Sequence, residues 1–264
     1  MKTPLLFLCV LFLLGACHNK TTKKDGKEEQ AKRSVLDMQV LRMSMQGPVS
    51  LNFSPDGTLG VDFGNDSTIE VVSNYAVSND TITFTDLEGV TCPGPGVYKM
   101  YQTDYYISFD LITDTCSGRV KSTMGFWVYP DFSEKLQQLN EALARSGADP
   151  ALYLNRARMY MATADPQQAR EDFTAYLDVD STDSRVYINR AGTWFPDRMD
   201  MVITDCNKVI DLDPENKNAW FLRGLAKYSI GMEEEGCADF QKAIDLGFSV
   251  LKQAESERCK EFWE

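Results

Sequence analysis

The second half of the chain repeats itself with a period of 34 or 33 residues, and this periodicity constrains the fold more than any other feature of the sequence. Large residues recur at Tyr153, Tyr187 and Trp220, and small residues recur four positions further on, at Ala157, Ala191 and Gly224. A period of this length indicates stacked pairs of helices, in which the large residue packs between helices and the small one lets them approach. Because one pair cannot bury its apolar face alone, neighbouring pairs must stack on each other.

The same period continues in the second helix of each pair. The matching positions are Ala169, Val202 and Gly236, followed by Phe173, Cys206 and Phe240. The pattern strongly resembles the tetratricopeptide repeat, in three units over 150–183, 184–216 and 217–250. A helix with Ser133 as its N-cap and a last helix over 250–262 are expected to cover the two ends. In the middle unit, Pro196 is expected to end the first helix early.

The resemblance implies a function for the first helix of each unit. In that family these helices line a concave groove that holds a peptide of a partner protein. The matching positions here are Leu154, Arg158, Met161, Arg185, Ile188, Phe195, Asn218, Phe221, Leu225 and Tyr228. The groove is therefore expected to be mainly apolar with two arginines. The paired Lys and Asn with which chaperone-binding relatives clamp a carboxylate are largely missing, because the corresponding positions are Leu154, Arg158, Asn189, Asn218 and Leu222. The alternative is that some groove positions pack internally.

The first half of the chain alternates between apolar and polar residues with a period of two. Val49 to Phe53 alternates, and Ser54-Pro-Asp-Gly57 then gives a tight turn in which Gly57 permits positive φ. Seven or eight short strands with close turns predict an antiparallel meander that closes as a small barrel or sandwich. The fold class is therefore α+β with two domains, a β-domain over 34–130 and a helical repeat domain over 131–264.

The β-domain resembles the lipocalin-like domains of bacterial envelope lipoproteins. The resemblance rests on Phe53-Ser-Pro-Asp-Gly57, Cys92, Gly96-Val-Tyr98, Asp114-Thr-Cys116 and Arg119. It implies a barrel, with or without a ligand in it. Two interpretations of the aromatic residues stay open: they line a pocket for a small apolar ligand, or they fill the core, which is the favoured interpretation. These aromatic residues are Tyr75, Tyr98, Tyr101, Tyr105, Tyr106, Phe109 and Trp127.

The N-terminus has the features of an export signal. Lys2 precedes an apolar run from Leu5 to Leu14, which is about half of the roughly 20 residues needed to span a bilayer. The sequence Leu14-Gly-Ala-Cys17 resembles a lipobox, which implies that 1–16 is a signal peptide and that Cys17 carries lipid. The alternative is an ordinary secretory signal. The segment 17–33 is expected to be a flexible tether because it lacks apolar periodicity.

The expected location follows from the lipobox. It implies a protein of the bacterial cell envelope, anchored in the membrane through its N-terminal lipid. No acidic run follows Cys17, which favours the periplasmic face of the outer membrane.

Five cysteines remain beyond the signal and the lipidation site. Cys92 and Cys116 lie in loops separated by two strands, which are at the same end of an up-and-down meander, so that a bridge is plausible. In the helical half, Cys237 and Cys259 are expected to join the last unit to its capping helix. The rival pairing is Cys206 with Cys237, but Cys206 occupies a core position and is expected to be the free thiol.

The single histidine, His18, lies next to Cys17, so the predicted folded domains contain no histidine base or histidine metal ligand. No phosphate-binding or dinucleotide-binding motif is found, and neither a cofactor nor a metal is expected. The net charge of −12, without a basic patch in the folded part, argues against nucleic acid. The sequence therefore predicts a non-enzymatic, membrane-anchored scaffold that binds a partner protein. The alternative is a carrier that holds a small apolar ligand in the barrel.

Overall fold

A computed structural model describes residues 37–44, 47–86, 92, 94–147, 149–248 and 259–263. The predicted signal peptide, the lipidation site at Cys17, the tether and most of the predicted 250–262 helix lie outside the described residues. Among the described residues, no helix combines the length and apolar character needed to cross a membrane.

The first half forms a closed antiparallel barrel of eight strands in sequential order. The strands are β1 (Met38–Ser44), β2 (Gly47–Phe53), β3 (Thr58–Phe63), β4 (Val71–Ser78), β5 (Thr81–Asp86), β6 (Gly96–Gln102), β7 (Tyr106–Thr113) and β8 (Gly125–Val128). Pairing between Leu41 of β1 and Val128 of β8 closes the barrel. The predicted turn before β3 is present, with Gly57 at φ +87° and its N–H donating to the Ser54 carbonyl at 3.1 Å.

Nine helices are described. They are α1 (Ser117–Thr123), between β7 and β8, then α2 (Phe132–Ser146), α3 (Pro150–Ala162), α4 (Pro166–Val179), α5 (Ser184–Trp194), α6 (Met199–Leu212), α7 (Lys217–Ser229), α8 (Glu233–Asp245) and α9 (Lys260–Trp263). The pairs α3–α4, α5–α6 and α7–α8 correspond to the three predicted units; we name their first members the A helices and their second members the B helices. Sequence analysis did not predict α1.

Local sequence explains where most of these helices begin. Asp149, Asp165, Asp183 and Asn216 each accept a hydrogen bond from a backbone N–H in the first turn of α3, α4, α5 and α7. The prediction that Ser133 caps α2 is wrong: α2 begins at Phe132, after Asp131. Inclusion of Phe132 in the helix lets its ring pack against the cluster of Val128 and Leu139.

The helical half packs against the outside of the barrel. Val128 of β8, Leu139 of α2, and Met159 and Ala162 of α3 form one buried cluster. Leu139 aligns with Phe173, Cys206 and Phe240, which are core positions of the B helices. Thus α2 resembles a B helix whose missing A helix is replaced by the wall of the barrel.

Candidate functional site

In each of the three units, an arginine–aspartate pair joins the A helix to the B helix. Arg156, Arg190 and Arg223 of the A helices each bind, through two nitrogens, the carboxylate of a buried aspartate in the following B helix. The partners are Asp172 (2.6 and 2.8 Å), Asp205 (2.7 and 3.0 Å) and Asp239 (2.7 and 2.8 Å). A buried guanidinium is stable when it is paired with a carboxylate. Since these arginines face inward and have that partner, their role is structural.

Each of these arginines also reaches the preceding B-type helix. The Nη1 atoms of Arg156, Arg190 and Arg223 donate to Asn140, Thr174 and Asn207 at 2.7, 3.2 and 2.7 Å. These contacts were not predicted, although the three arginines recur with the same 34- and 33-residue spacing as the aromatic residues. The repeat spacing of the three arginines could therefore have predicted these contacts.

The predicted groove residues do not all lie on an open surface. Leu154, Met161 and Ile188 are partly buried in the packing between the first two units. Phe221, Leu225 and Tyr228 pack against the buried cluster of Cys237, Phe240 and Cys259, and Phe248 stacks on Phe221 with ring centroids 4.9 Å apart. Six of the seven apolar positions are thus partly buried in internal packing, which the alternative interpretation expected of some of them. The seventh, Phe195, is exposed, as are Arg185 and Asn218.

Arg158 of α3 is directed toward the barrel instead of into the groove. Its Nη1 donates to the Tyr106 hydroxyl at 2.6 Å, and its guanidinium carbon lies 5.6 Å from the ring centroids of Tyr106 and Phe126. The outer face of β7 and β8 therefore lies beside α3.

Charge is divided unequally between the two helix types. The A helices carry seven basic residues and no acidic residue, whereas the B helices carry eleven acidic and three basic residues. Four of the seven basic residues, Arg156, Arg190, Arg223 and Lys227, pair inward with aspartates. The other three are Arg158, which contacts the barrel, Arg185, which pairs with Asp183, and Lys217, so the A-helix side of the repeats is less acidic than the B-helix side.

The interior of the barrel is filled by its own side chains. Ile82, Phe84, Tyr98, Phe109 and Trp127 are almost completely buried in one core cluster. Of the aromatic residues considered for a pocket, Tyr75 also belongs to this cluster, whereas Tyr105 and Tyr106 face the helices and Tyr101 is 40% exposed. Core packing is thus the role that these contacts support, as the favoured interpretation expected.

A buried charged cluster closes one end of the barrel. Arg119 of α1 binds Asp114 at 2.6 Å and Asp86 at 3.1 Å, and the Tyr98 hydroxyl donates to Asp114 at 2.5 Å. Burial opposes ionisation of Asp114, but hydrogen bonds from Arg119, Tyr98 and the Cys116 N–H hold its pKa below the ordinary value. Gly96 has no room for a side chain, because a Cβ would collide with Asp114 and Arg119. These contacts stabilise the barrel.

The cysteines form the two bridges favoured by the sequence. Cys92 is bonded to Cys116 and Cys237 to Cys259, with Cα separations of 5.4 and 5.5 Å. Cys206 is free and buried, and burial raises the pKa of its thiol to about 12. Cys206 is therefore an unreactive core residue at neutral pH.

One group of carboxylates has metal-like spacing, namely Asp62 near the end of β3 with Asp66 and Glu70 of the β3–β4 connection. Asp62 accepts the backbone N–H of Asp66 at 3.2 Å and that of Ser67 at 2.9 Å, and Glu70 accepts the N–H of Phe63 at 2.8 Å. These bonds explain the group as the support of a turn.

Comparison with known proteins gives structural likeness only. No protein-family profile and no curated protein matches the chain. The crystal structure of MamA shares 19% identity with a TM-score of 0.45, covering 58% of this chain and 93% of MamA. The first TPR of Spaghetti (RPAP3), bound to HSP90 peptide SRMEEVD, shares 18% identity with a TM-score of 0.40, covering 44% of this chain and 94% of that one.

The TPR domain of Arabidopsis OM64 is similarly distant, at 19% identity and a TM-score of 0.39 over 43% of this chain and 93% of that domain. These likenesses are too distant to indicate a ligand. The binding properties of this chain have to be argued from its own residues.

Proposed function

We propose that this chain is a lipid-anchored protein-interaction module of the bacterial cell envelope. The repeats bind a partner protein on their A-helix side, and the barrel serves as a spacer and a support for the first unit. The observation that carries the proposal is the division of charge between the helices, because it distinguishes the A-helix side of the repeats from the strongly acidic B-helix side. No catalytic role is proposed for any residue.

The exposed residues of the A-helix side define where the partner binds. Arg185, Gly192, Phe195 and Asn218 are exposed there, between the part covered by the barrel and the part covered by the C-terminal segment. This surface combines apolar area with donors and positive charge, a composition typical of polar-rimmed protein interfaces.

Site-specific photocrosslinking in the native cells tests the proposal. A photoreactive amino acid at Asn218 of α7 is expected to capture a discrete protein. The same amino acid at Lys208, which is exposed on B helix α6, is expected not to capture it. Absence of an adduct at 218, or the same adducts from both positions, would contradict the proposal.

Lipid anchoring is supported by the lipobox-like sequence before Cys17. We expect Cys17→Ser to move the protein from the membrane fraction to the soluble envelope fraction. For the periplasmic face of the outer membrane, we expect added protease to spare the protein in intact cells and to cleave it after permeabilisation. Retention of the variant in the membrane would contradict lipid anchoring through Cys17. Cleavage in intact cells would contradict the periplasmic location.

A further inference from the structure

The first two B helices, α4 and α6, end in the same short pattern, an exposed apolar residue between two aspartates. Asp178-Val179-Asp180 lies at the end of α4, and Asp211-Leu212-Asp213 lies at the end of α6, 33 residues further along the chain. Val179 is 57% exposed and Leu212 is 45% exposed. We call these two features the Asp-x-Asp ends. The third unit departs from them, with Asp245-Leu-Gly247 at the end of α8.

The Asp-x-Asp ends add negative charge where a helix already has it. The C-terminus of a helix carries a partial negative charge, which a nearby cation stabilises. Neither α4 nor α6 has a basic residue in its last turn. Within the described part of the chain, no lysine or arginine pairs with any of the four aspartates. Hydrogen bonds from Thr182 hold the pKa of Asp180 below its ordinary value, so Asp180 is charged at neutral pH.

The chemistry of an Asp-x-Asp end fits a lysine side chain. The aliphatic stem of a lysine can cover an exposed apolar residue such as Val179 or Leu212, while its ammonium group reaches a carboxylate on either side. Each such contact is weak because it is exposed to water. An occupant therefore has to offer several cations and has to be held close to the surface.

The tether, residues 17–33, has both properties. It contains six basic and three acidic residues, so it opposes the sign of the B helices. It is joined to the folded part just before β1, and Leu41 of β1 packs in one cluster with Leu139 of α2, the first helix of the B type. An extended chain from Lys20 to Asp37 spans up to about 60 Å. This length reaches α4 and α6, since packed helices are separated by about 8–10 Å.

The spacing of the basic residues also suits two adjacent Asp-x-Asp ends. Because α4 and α6 both pack against α5, their axes are separated by roughly 10–20 Å. In the tether, basic residues recur every three to five positions, at Lys20, Lys23, Lys24, Lys27 and Lys32. In an extended chain these intervals correspond to about 10–17 Å. One tether can therefore bring a lysine to each of the two ends.

We propose that lysines of the tether bind the Asp-x-Asp ends of α4 and α6 in the same molecule. Covalent connection keeps the effective concentration of the tether in the millimolar range, which compensates for the weakness of each contact. Binding shortens the distance between the repeats and Cys17, and thus holds the folded part closer to the proposed lipid anchor. The inference goes beyond the proposed partner binding, because it uses the ends of B helices and not the A-helix side.

Disulfide trapping in the full-length protein, in native membranes under mild oxidation, tests the contact. Thr22→Cys is combined with Ser181→Cys, directly after the Asp-x-Asp end of α4, or with Gln167→Cys, which is exposed at the opposite end of the same helix. The free thiol of Cys206 is buried and does not compete. We expect the intramolecular disulfide to form at least about fivefold more with position 181 than with position 167, because binding raises the local concentration at one end only.

Charge variants identify what holds the tether. Asp178→Asn with Asp211→Asn is expected to lower the yield with position 181 by at least about threefold, and about 1 M salt should act similarly by screening. Glu233→Gln with Glu234→Gln removes the same charge from the exposed start of α8 and should keep the yield within about twofold. Circular dichroism checks that each variant is folded. Equal yields at 181 and 167, no loss in the aspartate variant, or a disulfide between two copies would overturn the inference.

Discussion

At the residue scale, the chain uses arginine in two different ways. Arg119 in the barrel and the three inward arginines of the repeats are bound to buried aspartates, so each of them neutralises a charge that could not otherwise be buried. Arg185, in contrast, is exposed and pairs with Asp183 at 2.9 Å on the surface. Arginine content alone therefore does not distinguish structural from binding residues.

The Arg119 cluster gives a residue-scale prediction. Arg119→Met leaves Asp86 and Asp114 buried without their cation, and we expect the free energy of unfolding to fall by about 3–5 kcal/mol. Urea unfolding of the full-length protein measures this change. Arg145→Ala, which removes an exposed pair with Glu141 at 3.8 Å, is the control and is expected to change stability by less than about 0.5 kcal/mol. Equal effects of the two substitutions would contradict the proposed role of Arg119.

The same cluster predicts a pH dependence. Because the folded-state pKa of Asp114 is lowered, its contribution to stability is present above the unfolded-state pKa of about 4 and is lost as the pH falls through the lower folded-state value. Wild type is therefore expected to lose stability in acid more steeply than Asp114→Asn. Parallel stability curves for the two proteins between about pH 2 and 6, the range around this ionisation, would show that Asp114 does not contribute.

At the element scale, the distances between paired helices decide which substitutions are tolerated. In the last unit, α7 and α8 approach so closely that both contact positions are glycine, whereas α5 has open space at Gly192. The same substitution should thus have opposite effects at two glycines.

We expect Gly224→Ala to lower the free energy of unfolding by about 1–3 kcal/mol, since the new methyl group forces α7 and α8 apart. Gly192→Ala is expected to raise it by up to about 1 kcal/mol, through better helix propensity. Chemical denaturation of both variants measures these changes. Destabilisation by Gly192→Ala would mean that the space beside Gly192 is filled by this chain itself.

The C-terminal cap gives a second prediction at this scale. The Cys237–Cys259 bridge holds α9 against α8, where Trp263 Nε1 also donates to the Cys237 carbonyl at 3.1 Å. Replacing both cysteines by serine is expected to remove about 3 kcal/mol on the chain-entropy estimate for a loop of this size. Hydrogen exchange should then increase in 259–263 and around Phe221, but not in the barrel, whose amides are the internal control.

At the scale of the whole molecule, the barrel and the repeats share a core cluster. Val128 belongs to the barrel and Met159 to α3, and both are buried in it. We expect Val128→Ala and Met159→Ala to be coupled in a double-mutant cycle by at least about 0.5 kcal/mol. Val128→Ala with Val209→Ala, which lies in another cluster, should be additive within about 0.5 kcal/mol. Additivity of the first pair would mean that the two halves are energetically separate.

The sequence by itself determined the local elements of this protein. The period of two in the first half and the 34-residue period in the second gave the strands, the helical units and the alignment of Cys206 with core positions, because each pattern depends on residues that are neighbours in one element or one repeat. The two disulfide bridges could also be predicted from the sequence, since the paired cysteines lie in adjacent loops or helices.

Only the tertiary structure decided which side chains remain accessible. It placed Arg158 against the barrel, buried Phe221, Leu225 and Tyr228 partly beneath the C-terminal segment, and left Gly192 open. Arg158 and Arg185 were both predicted to line the groove. Arg158 instead packs against a β-strand residue 52 positions away, whereas Arg185 is exposed. The period fixes which face of a helix points outward from its own unit, but what covers that face depends on contacts between distant segments, which no local pattern encodes.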